Sequence, residues 1–360
     1  MRPLRWCPRA HPSMPGDGQK TMVAVIGWDI GGAHLKAARA ENGRLVAAVQ
    51  IPCPLRLGLG ALVSAFADAR SRMGAADRHL ITMTGELADT FASRADGVGQ
   101  LTATAVDRLA PEPVLVYGGR AGFLAPQAAP SHVADVASAN WHAAAQWVAA
   151  KLDTALFIDM GSTTTDLVPV AAGALAARGY SDAERLAADE LVYTGLVRTA
   201  VMSVADRAPM AGAWTGLVHE TFATMADVYR VLGTLPESAD QMATADGRPK
   251  TQEASRARLA RIVGRDCIDA ADADWRALAR WFAETQIRLI TDAAMRVGSR
   301  GEPHHEAPIV TAGIGASILE EVARRLGRQW IALETLFDLA PGVGPHVSQC
   351  APAAALAMLG

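Results

Sequence analysis

Residues 155–170 read ALFIDMGSTTTDLVPV, an apolar run, a polar turn and a second apolar run, which predicts two buried strands joined as a hairpin. Four consecutive hydroxyl residues stand between Asp159 and Asp166 in that turn. Hydroxyl and backbone N–H groups donate to phosphate oxygens, and carboxylates position a hydrated cation. The hairpin therefore predicts a phosphate loop with Asp159 as a metal ligand, although a purely structural hairpin is the alternative because threonine favours strands. The expected phosphate contacts are Gly161, Ser162, Thr163 and Thr164.

The same arrangement occurs about 130 residues earlier, where the apolar run VAVIGW leads into DIGGAHLK, residues 29–36. Glycines in such a turn leave backbone N–H groups open to phosphate oxygens, and a lysine on the neighbouring strand neutralises charge. We expect Asp29 to bind metal, Gly31 and Gly32 to contact phosphate, and Lys36 to act both in phosphate binding and in catalysis. A glycine-rich hairpin with a solvated acid and base is the structural alternative. Two hairpins of one kind indicate two related lobes.

A third small-residue turn, TAGIGA, occupies residues 311–316 between a predicted strand and a predicted helix. Gly313 and Gly315 would let a ligand approach the backbone and the start of that helix, so both are expected phosphate contacts. A tight strand-to-helix connection is the simpler explanation.

Strand-like and helix-like segments alternate along the rest of the chain, which indicates an α/β fold. Helices are predicted for residues 59–73, 132–151, 253–265 and 274–297. The pair Asn140-Trp141 is expected to be exposed. The last of these helices is expected to bury one apolar face, consisting of Trp275, Leu278, Phe282, Leu289, Ala293 and Val297.

The composition favours a two-domain protein with small-molecule partners. The chain has 360 residues, 50% of them hydrophobic and 20% charged, and single cores stop growing at roughly 250–300 residues. A formal net charge of -3 and a pI near 6.3 give no general attraction to nucleic acid or to an acidic membrane surface. No apolar run approaches the roughly 18–20 residues that span a bilayer.

The cysteines and the first 21 residues indicate in which cellular compartment the protein is expected. Four widely spaced cysteines without a CxxC pair suggest neither a zinc site nor a disulfide framework, so a cytoplasmic protein is expected. The first 21 residues carry four basic side chains and one acidic one and have no apolar segment typical of a secretory signal. We expect a disordered basic tail there.

Taken together, the three turns resemble the two phosphate loops and the adenosine loop of the actin, Hsp70 and sugar-kinase superfamily. That resemblance implies two ribonuclease-H-like lobes with a cleft between them, and Mg²⁺ as the cofactor. The implied division is an N-terminal lobe at residues 22–135, completed by a C-terminal helix at 345–359, a linker helix at 136–151 and a C-terminal lobe at 152–340.

A closer resemblance covers nearly all of residues 22–359. The strings MTGEL (83–87), NW (140–141), DMGSTTTD (159–166), LVYTG (191–195) and TADGR (244–248) resemble those of hydantoinase/oxoprolinase-related proteins linked to tetrahydromethanopterin-dependent one-carbon metabolism. Those proteins are similar to the archaeal synthase that forms the ether bond of methanofuran. The resemblance implies a transferase that joins an aminomethylfuran-methyl diphosphate to a tyramine- or tyrosine-type phenol and releases diphosphate.

The implied reaction suggests catalytic and substrate-binding roles for further residues. A phenol attacks far better as phenolate, so a base is needed, and Glu86 and Asp166 are the candidates. The partners would be the furan diphosphate and the phenolic acceptor, with no nucleic acid or membrane, and the chain is a possible homodimer. Expected substrate contacts are Asn140, Trp141, Tyr193, Arg198, Asp246 and Arg248; packing or a solvated surface is the alternative for the last four.

Two other functions stay open at this point. The same three turns suit an ATP-dependent small-molecule kinase, or an amide hydrolase of the hydantoinase/oxoprolinase kind, and ATP would then be a cofactor. A non-enzymatic nucleotide-binding scaffold is the other alternative, which would bind ATP without turnover.

Overall fold

Two β-sheets and the helices between them make up the protein, seen here in a computed structural model that describes residues 23–360 apart from the side chain of Pro345. The basic tail predicted for residues 1–21 lies outside the described residues. The strands are β1 (Ala24–Ile30), β2 (His34–Glu41), β3 (Arg44–Pro52), β4 (Arg78–Met83), β5 (Val114–Tyr117), β6 (Phe123–Leu124), β7 (Ala155–Met160), β8 (Thr165–Ala171), β9 (Ala174–Leu175), β10 (Leu191–Val192), β11 (Arg207–Met210), β12 (Ala213–Gly216), β13 (Ile309–Ala312) and β14 (Trp330–Ala332). The helices are α1 (Leu59–Met73), α2 (Arg94–Leu109), α3 (Val133–Val136), α4 (Asn140–Lys151), α5 (Asp182–Ala187), α6 (Met225–Leu232), α7 (Gln252–Ile262), α8 (Asp272–Gly298), α9 (Ala316–Arg325), α10 (Gly344–Gln349) and α11 (Ala351–Leu359).

The two main sheets share one plan. The first has the order β3-β2-β1-β4-β5-β6 and the second has β10-β8-β7-β13-β14, with β9 paired to β8. In each, a central strand (β1 or β7) forms an antiparallel hairpin with the next strand and pairs in parallel with a later strand on its other side. This is the plan expected of two ribonuclease-H-like lobes, and it explains why the two acid-bearing turns look alike in the sequence.

The central strands are apolar because both of their faces are covered. All seven residues of β1 are buried, as are five of the six in β7, which is the pattern of a strand at the middle of a partly parallel sheet. A cluster of buried apolar residues contributed by α4, α11 and strands of both sheets joins the lobes. The cleft therefore opens above a continuous packed base.

The last helix, α11, packs on the first sheet rather than on the second. It lies against β1, β2 and α4, and its alanine-rich sequence is buried along most of its length. Contact is closest at Gly27, where a Cβ atom would overlap the backbone carbonyl oxygen of Ala353. Only glycine allows this approach of helix to strand.

Two expectations about helices are wrong. Residues 132–151 do not form one helix: α3 and α4 are separated by a break in which Ser138 has φ 54°, a backbone conformation that a non-glycine residue rarely adopts. On α8, five of the six residues expected to face the core are buried, but Leu289 is 39% exposed, because the long helix turns that position away from the lobe.

No helix in the described part of the chain is both long and apolar enough to cross a membrane. Within the same residues, Cys53, Cys267 and Cys350 are free thiols, so none of these three forms a disulfide.

The close approach of α11 to β1 generates a test of stability. Gly27→Ala should lower the free energy of unfolding by roughly 1–3 kcal/mol, because the added methyl group forces the helix away from the strand. Urea unfolding followed by circular dichroism measures the change. Gly99→Ala is the matched control: Gly99 lies within α2 with open space at its Cβ position, and alanine there should stabilise by about 0.5–1 kcal/mol. Equal stability of the two variants would contradict the packing described.

Candidate active site

A cleft of about 520 Å³ lies between the lobes, and the turns of both acid-bearing hairpins line it. Asp29 comes from the first lobe and Asp159 from the second. The two carboxylates thus share one cavity, as the sequence hypothesis requires. The other predicted site residues that line it are Gly31, Gly32, Lys36, Asn140, Trp141, Gly161, Ser162, Thr163, Thr164, Asp166, Tyr193 and Arg198.

In the first hairpin, strand register brings an acid and a base to the same face. Asp29 on β1 is directly opposite Lys36 on β2, and Lys36 Nζ lies 3.6 Å from Asp29 Oδ2. Burial raises the pKa of Asp29, against the opposing effect of Lys36. Burial disfavours the charged form of Lys36, yet the carboxylates of Asp29 and Asp159 raise its pKa overall. Lys36 therefore stays protonated between the two acids.

In the second hairpin, the same register places two acids opposite each other. Asp159 on β7 pairs with Asp166 on β8. Burial raises the pKa of Asp159 to about 7; Lys36 opposes this rise, and the charges of Asp166 and Asp29 add to it. Burial also raises the pKa of Asp166, against the effect of Arg185, whose guanidinium lies 2.8 Å from its Oδ1. Two carboxylates thus face the cleft from this hairpin, and only Asp166 of the two has an arginine in ion-pair contact among residues 23–360.

The hydroxyl-rich turn divides into cleft-facing and structural residues. Ser162, Thr163 and Thr164 line the cleft, whereas the hydroxyl of Thr165 is buried and donates to the Thr194 carbonyl at 2.7 Å. Arg198 Nη1 lies 3.4 Å from Thr163 Oγ1. The turn therefore presents three of its four hydroxyl groups, with a guanidinium beside them.

The third glycine turn does not line the cleft. A Cβ at Gly313 would overlap the Asp159 carboxylate and the Met160 carbonyl, and one at Gly315 would overlap the Met160 side chain. Both glycines are therefore explained by close packing against the end of β7. This supports the tight-connection alternative for these two positions.

Glu86 is near the site but is not part of the cleft wall. It is 1% exposed, and Ser138 Oγ lies 3.1 Å from its Oε1 and 3.2 Å from Asp182 Oδ2. A hydroxyl has one hydrogen to donate, so the two carboxyl groups share or compete for the Ser138 hydroxyl. Burial raises the pKa of Glu86, whereas Asp182 is paired with Arg94 at 2.8 Å. Because Glu86 is buried outside the cleft wall and contacts Ser138, we predict that it has a structural role rather than that of the base.

Three other residues that were predicted to contact substrate, Trp141, Asp246 and Arg248, do not lie as the sequence suggests. Trp141 lines the cleft but is only 3% exposed, because the Arg185 guanidinium lies over its ring, 4.1 Å from the ring centroid. The prediction that the Asn140-Trp141 pair is exposed is therefore wrong for Trp141. Asp246 lies outside the cleft wall and accepts from buried Arg258 at 2.9 Å. Arg248 adjoins Asp246 at 4.0 Å, so both belong to a salt-bridged loop of the second lobe.

Several cleft residues were not predicted as site residues, among them the ionisable side chains of His34, Arg56, Asp182 and Arg185. His34 stands inside the first quoted turn, so its position was the available signal. It is 6% exposed, and its Nε2 has no hydrogen-bond partner within residues 23–360. Burial, and then the charges of Lys36 and Arg198, lower its pKa to about 4, so the imidazole is neutral at neutral pH.

The donor set suits a cation that keeps much of its water. In the described residues, no three His, Cys, Asp or Glu side chains are grouped so that they could hold a metal ion. Asp29 Oδ1 is nevertheless buried without a hydrogen-bond partner among those residues. Mg²⁺ is usually bound by one or two carboxylates together with water and substrate phosphates. Asp29 and Asp159 fit that requirement.

Comparison with known proteins identifies the fold and the family of this chain. A structure of acetone carboxylase in its nucleotide-free form aligns with 93% of this chain and 70% of its own, with a TM-score of 0.58 and 10% sequence identity. With the two related sheets and the cleft between them, this identifies a two-lobed α/β protein of the actin-like ATPase fold and confirms the predicted fold class. The family model of hydantoinase/oxoprolinase matches residues 78–349, and the chain belongs to that family.

Two curated relatives carry names that describe a specific product. One from Methanocaldococcus jannaschii is 29% identical over 300 residues, which cover 83% of this chain and 88% of the relative. One from Methanococcus vannielii is 29% identical over 183 residues, which cover 51% and 81%. Both are named (4-{4-[2-(gamma-L-glutamylamino)ethyl]phenoxymethyl}furan-2-yl)methanamine synthase.

The position of Glu86 generates one prediction. Glu86→Gln keeps a hydrogen-bonding group beside Ser138, so kcat/KM should change by no more than about threefold. Asp166→Asn removes a cleft carboxylate, and loss of a general base lowers the rate by about 10²–10⁴-fold. Steady-state kinetics of both variants, with circular dichroism as a check on folding, compares them. A loss in Glu86→Gln as large as that in Asp166→Asn would overturn our assignment.

Asp159 generates a prediction about pH. Its pKa is raised from 3.8 to about 7 by burial, so the folded protein loses stability relative to the unfolded chain as pH rises through this interval. Asp159→Asn carries no such charge. In metal-free buffer the variant should unfold at a temperature several degrees above the wild type at pH 8, and close to the wild type at pH 4. Differential scanning calorimetry measures this, and a variant less stable than the wild type at pH 8 would refute it.

Proposed function

We propose that this protein is a transferase that forms an aryl ether, joining a furan-methyl diphosphate to a phenol with release of diphosphate. The observation that carries the proposal is the convergence of two acid-bearing phosphate turns on one cleft in a chain that aligns with 88% of a relative named for an ether product. We extend it to the biosynthesis of a methanofuran-type cofactor, as the sequence resemblance implies.

The product in the relatives' name limits the chemistry. It contains a phenoxymethyl group, in which a phenolic oxygen is bonded to a methylene carbon on a furan that also carries a methanamine. Such a bond forms when the phenol oxygen attacks the methylene carbon and a leaving group departs from it. A diphosphate is a suitable leaving group, because the furan spreads positive charge at that carbon and the diphosphate carries the negative charge away.

In this proposal the two turns hold the diphosphate. The backbone N–H of Gly32 and the cleft-facing hydroxyl groups of the second turn donate to its oxygens. The N–H groups of Gly31 and Gly161 instead close the two hairpin turns, donating to the carbonyls of His34 and Thr164 at 2.9 Å. Asp29 and Asp159 would hold Mg²⁺, which neutralises part of the charge of the departing diphosphate. Lys36 adds a fixed positive charge between these acids, and the unpaired Nε2 of His34 supplies a further hydrogen-bonding group.

Asp166 takes the phenolic proton. It lines the cleft, and burial raises its pKa, which makes it a stronger base than an exposed aspartate. His34 also lines the cleft, but its lowered pKa makes it a poor base. As the aryl ether C–O bond forms, the C–O bond to diphosphate breaks and its electron pair leaves with the diphosphate. The phenolic proton goes to Asp166.

The ATP-dependent alternatives have less support. They need a place for adenosine near the third turn, and Gly313 and Gly315 are not among the residues that line the cleft. The cleft lining also includes the exposed side chains of Leu87, Leu186 and Tyr193, which present apolar surface. Apolar side chains suit an aromatic acceptor better than a sugar.

The direct experiment is to incubate the purified protein with Mg²⁺, the 5-(aminomethyl)furan-3-methyl diphosphate and either γ-glutamyltyramine or tyrosine. Mass spectrometry should detect the ether and a colorimetric assay should detect an equal amount of diphosphate. EDTA should suppress both products. Parallel reactions with ATP in place of the furan diphosphate test the alternatives.

Asp159→Asn serves as the control, because it should fold and yet form no ether. Ether formation at the wild-type rate by this variant would remove Asp159 from the metal site. Consumption of ATP without any ether from the wild type would overturn the proposed function itself.

A further inference from the structure

Two arginines in the cleft have no acidic partner in the part of the chain that the structure describes. Arg56 and Arg198 are both exposed and both line the cavity. The cleft's other cations are already paired, Lys36 with Asp29 and Arg185 with Asp166. Neither Arg56 nor Arg198 has a carboxylate within ion-pair distance among residues 23–360, so these two guanidiniums are the cleft charges that remain available to an anion.

Each arginine is attached to one of the two phosphate turns. In the first lobe, the Leu55 N–H donates to the Gly32 carbonyl at 3.0 Å, which holds the neighbouring Arg56 beside the glycine turn. In the second lobe, the Arg198 N–H donates to the Ser162 carbonyl at 2.8 Å, and its Nη1 approaches Thr163 Oγ1 at 3.4 Å. The arrangement is the same on both sides: one turn and one unpaired arginine.

We infer that Arg56 and Arg198 form a clamp in which each lobe binds one end of the diphosphate. Guanidinium groups bind phosphate oxygens through paired N–H donors, and such charge-assisted bonds are stronger than neutral ones. A ligand held at both ends by different lobes also draws the lobes together. The inference rests on the proposed function only for the identity of the anion as a diphosphate.

The clamp supplies positive charge for the diphosphate that Lys36 alone does not supply. Lys36 is neutralised by Asp29 and also lies near Asp159, so its charge stabilises the two acids. A departing diphosphate gains charge on the ester oxygen that was bonded to the methylene carbon as the C–O bond breaks. Unpaired guanidiniums at that point stabilise this charge without first breaking an internal ion pair.

The experiment measures binding of inorganic pyrophosphate and of inorganic phosphate to the full chain by isothermal titration calorimetry with Mg²⁺ present. The wild type should prefer pyrophosphate. Arg56→Ala and Arg198→Ala should each weaken pyrophosphate binding by about 10- to 100-fold, since each loses a charge-assisted contact. Both should weaken phosphate binding less, because one phosphoryl group does not reach both ends of the clamp.

Arg280→Ala is the matched control. Arg280 is an exposed arginine on α8 that does not line the cleft, so its removal changes the net charge equally while leaving pyrophosphate affinity within about twofold of the wild type. Equal weakening in all three variants would attribute the effect to net charge and overturn the clamp. Affinity unchanged in either Arg56→Ala or Arg198→Ala would overturn it too.

Kinetics separate this inference from the proposed function. If ether forms, both clamp variants should raise KM for the furan diphosphate or lower kcat, while KM for the phenol stays the same. If the wild type binds pyrophosphate through both arginines but makes no ether, the clamp stands and the proposed function falls. If ether forms normally in Arg56→Ala and Arg198→Ala, the clamp is wrong and the function stands.

Discussion

The rest of the site depends on the register of two hairpins. In each, residues seven positions apart lie directly opposite across an antiparallel pair: Asp29 with Lys36, and Asp159 with Asp166. Directly opposed residues project from the same face of a sheet, so both members of each pair reach the cleft. A shift of one residue in either hairpin would turn its pair away from the cleft. Register therefore determines the chemistry of the cleft before any ligand enters.

The two lobes share a plan but differ in charge at one equivalent position. The first lobe has a lysine where the second has an aspartate, so one hairpin is internally neutral and the other carries two acids. Burial raises the pKa of Asp159, and the nearby charges of Asp166 and Asp29 add to this rise. The packed base of the cleft, where α4 and α11 join both sheets, holds these groups together. A cation and a polyanion bound between the lobes would relieve the repulsion, which is a physical reason for the cleft to bind both.

Much of this was predictable from local pattern, and the misses have identifiable causes. The quoted turns predict the fold and most of the cleft wall because strand periodicity and turn chemistry are local. The burial of Glu86 beside Ser138 was not predictable, because Ser138 lies in a helix break that the pattern of residues 132–151 does not show. Trp141 was expected to be exposed because its cover, Arg185, lies 44 positions later in the chain. The magnesium, the acceptor and a homodimer stay predictions.

Gly313 and Gly315 illustrate why a motif match alone is a weak guide to binding. A glycine is needed wherever anything approaches the backbone closely, whether a ligand or another part of the chain. Here the approaching atoms belong to Asp159 and Met160. The third turn thus acts on the site indirectly: it lets the end of β7 pack closely enough for the Asp159 carboxylate to be held at the cleft. The same small residues that resemble an adenosine loop thus also serve to position a charge.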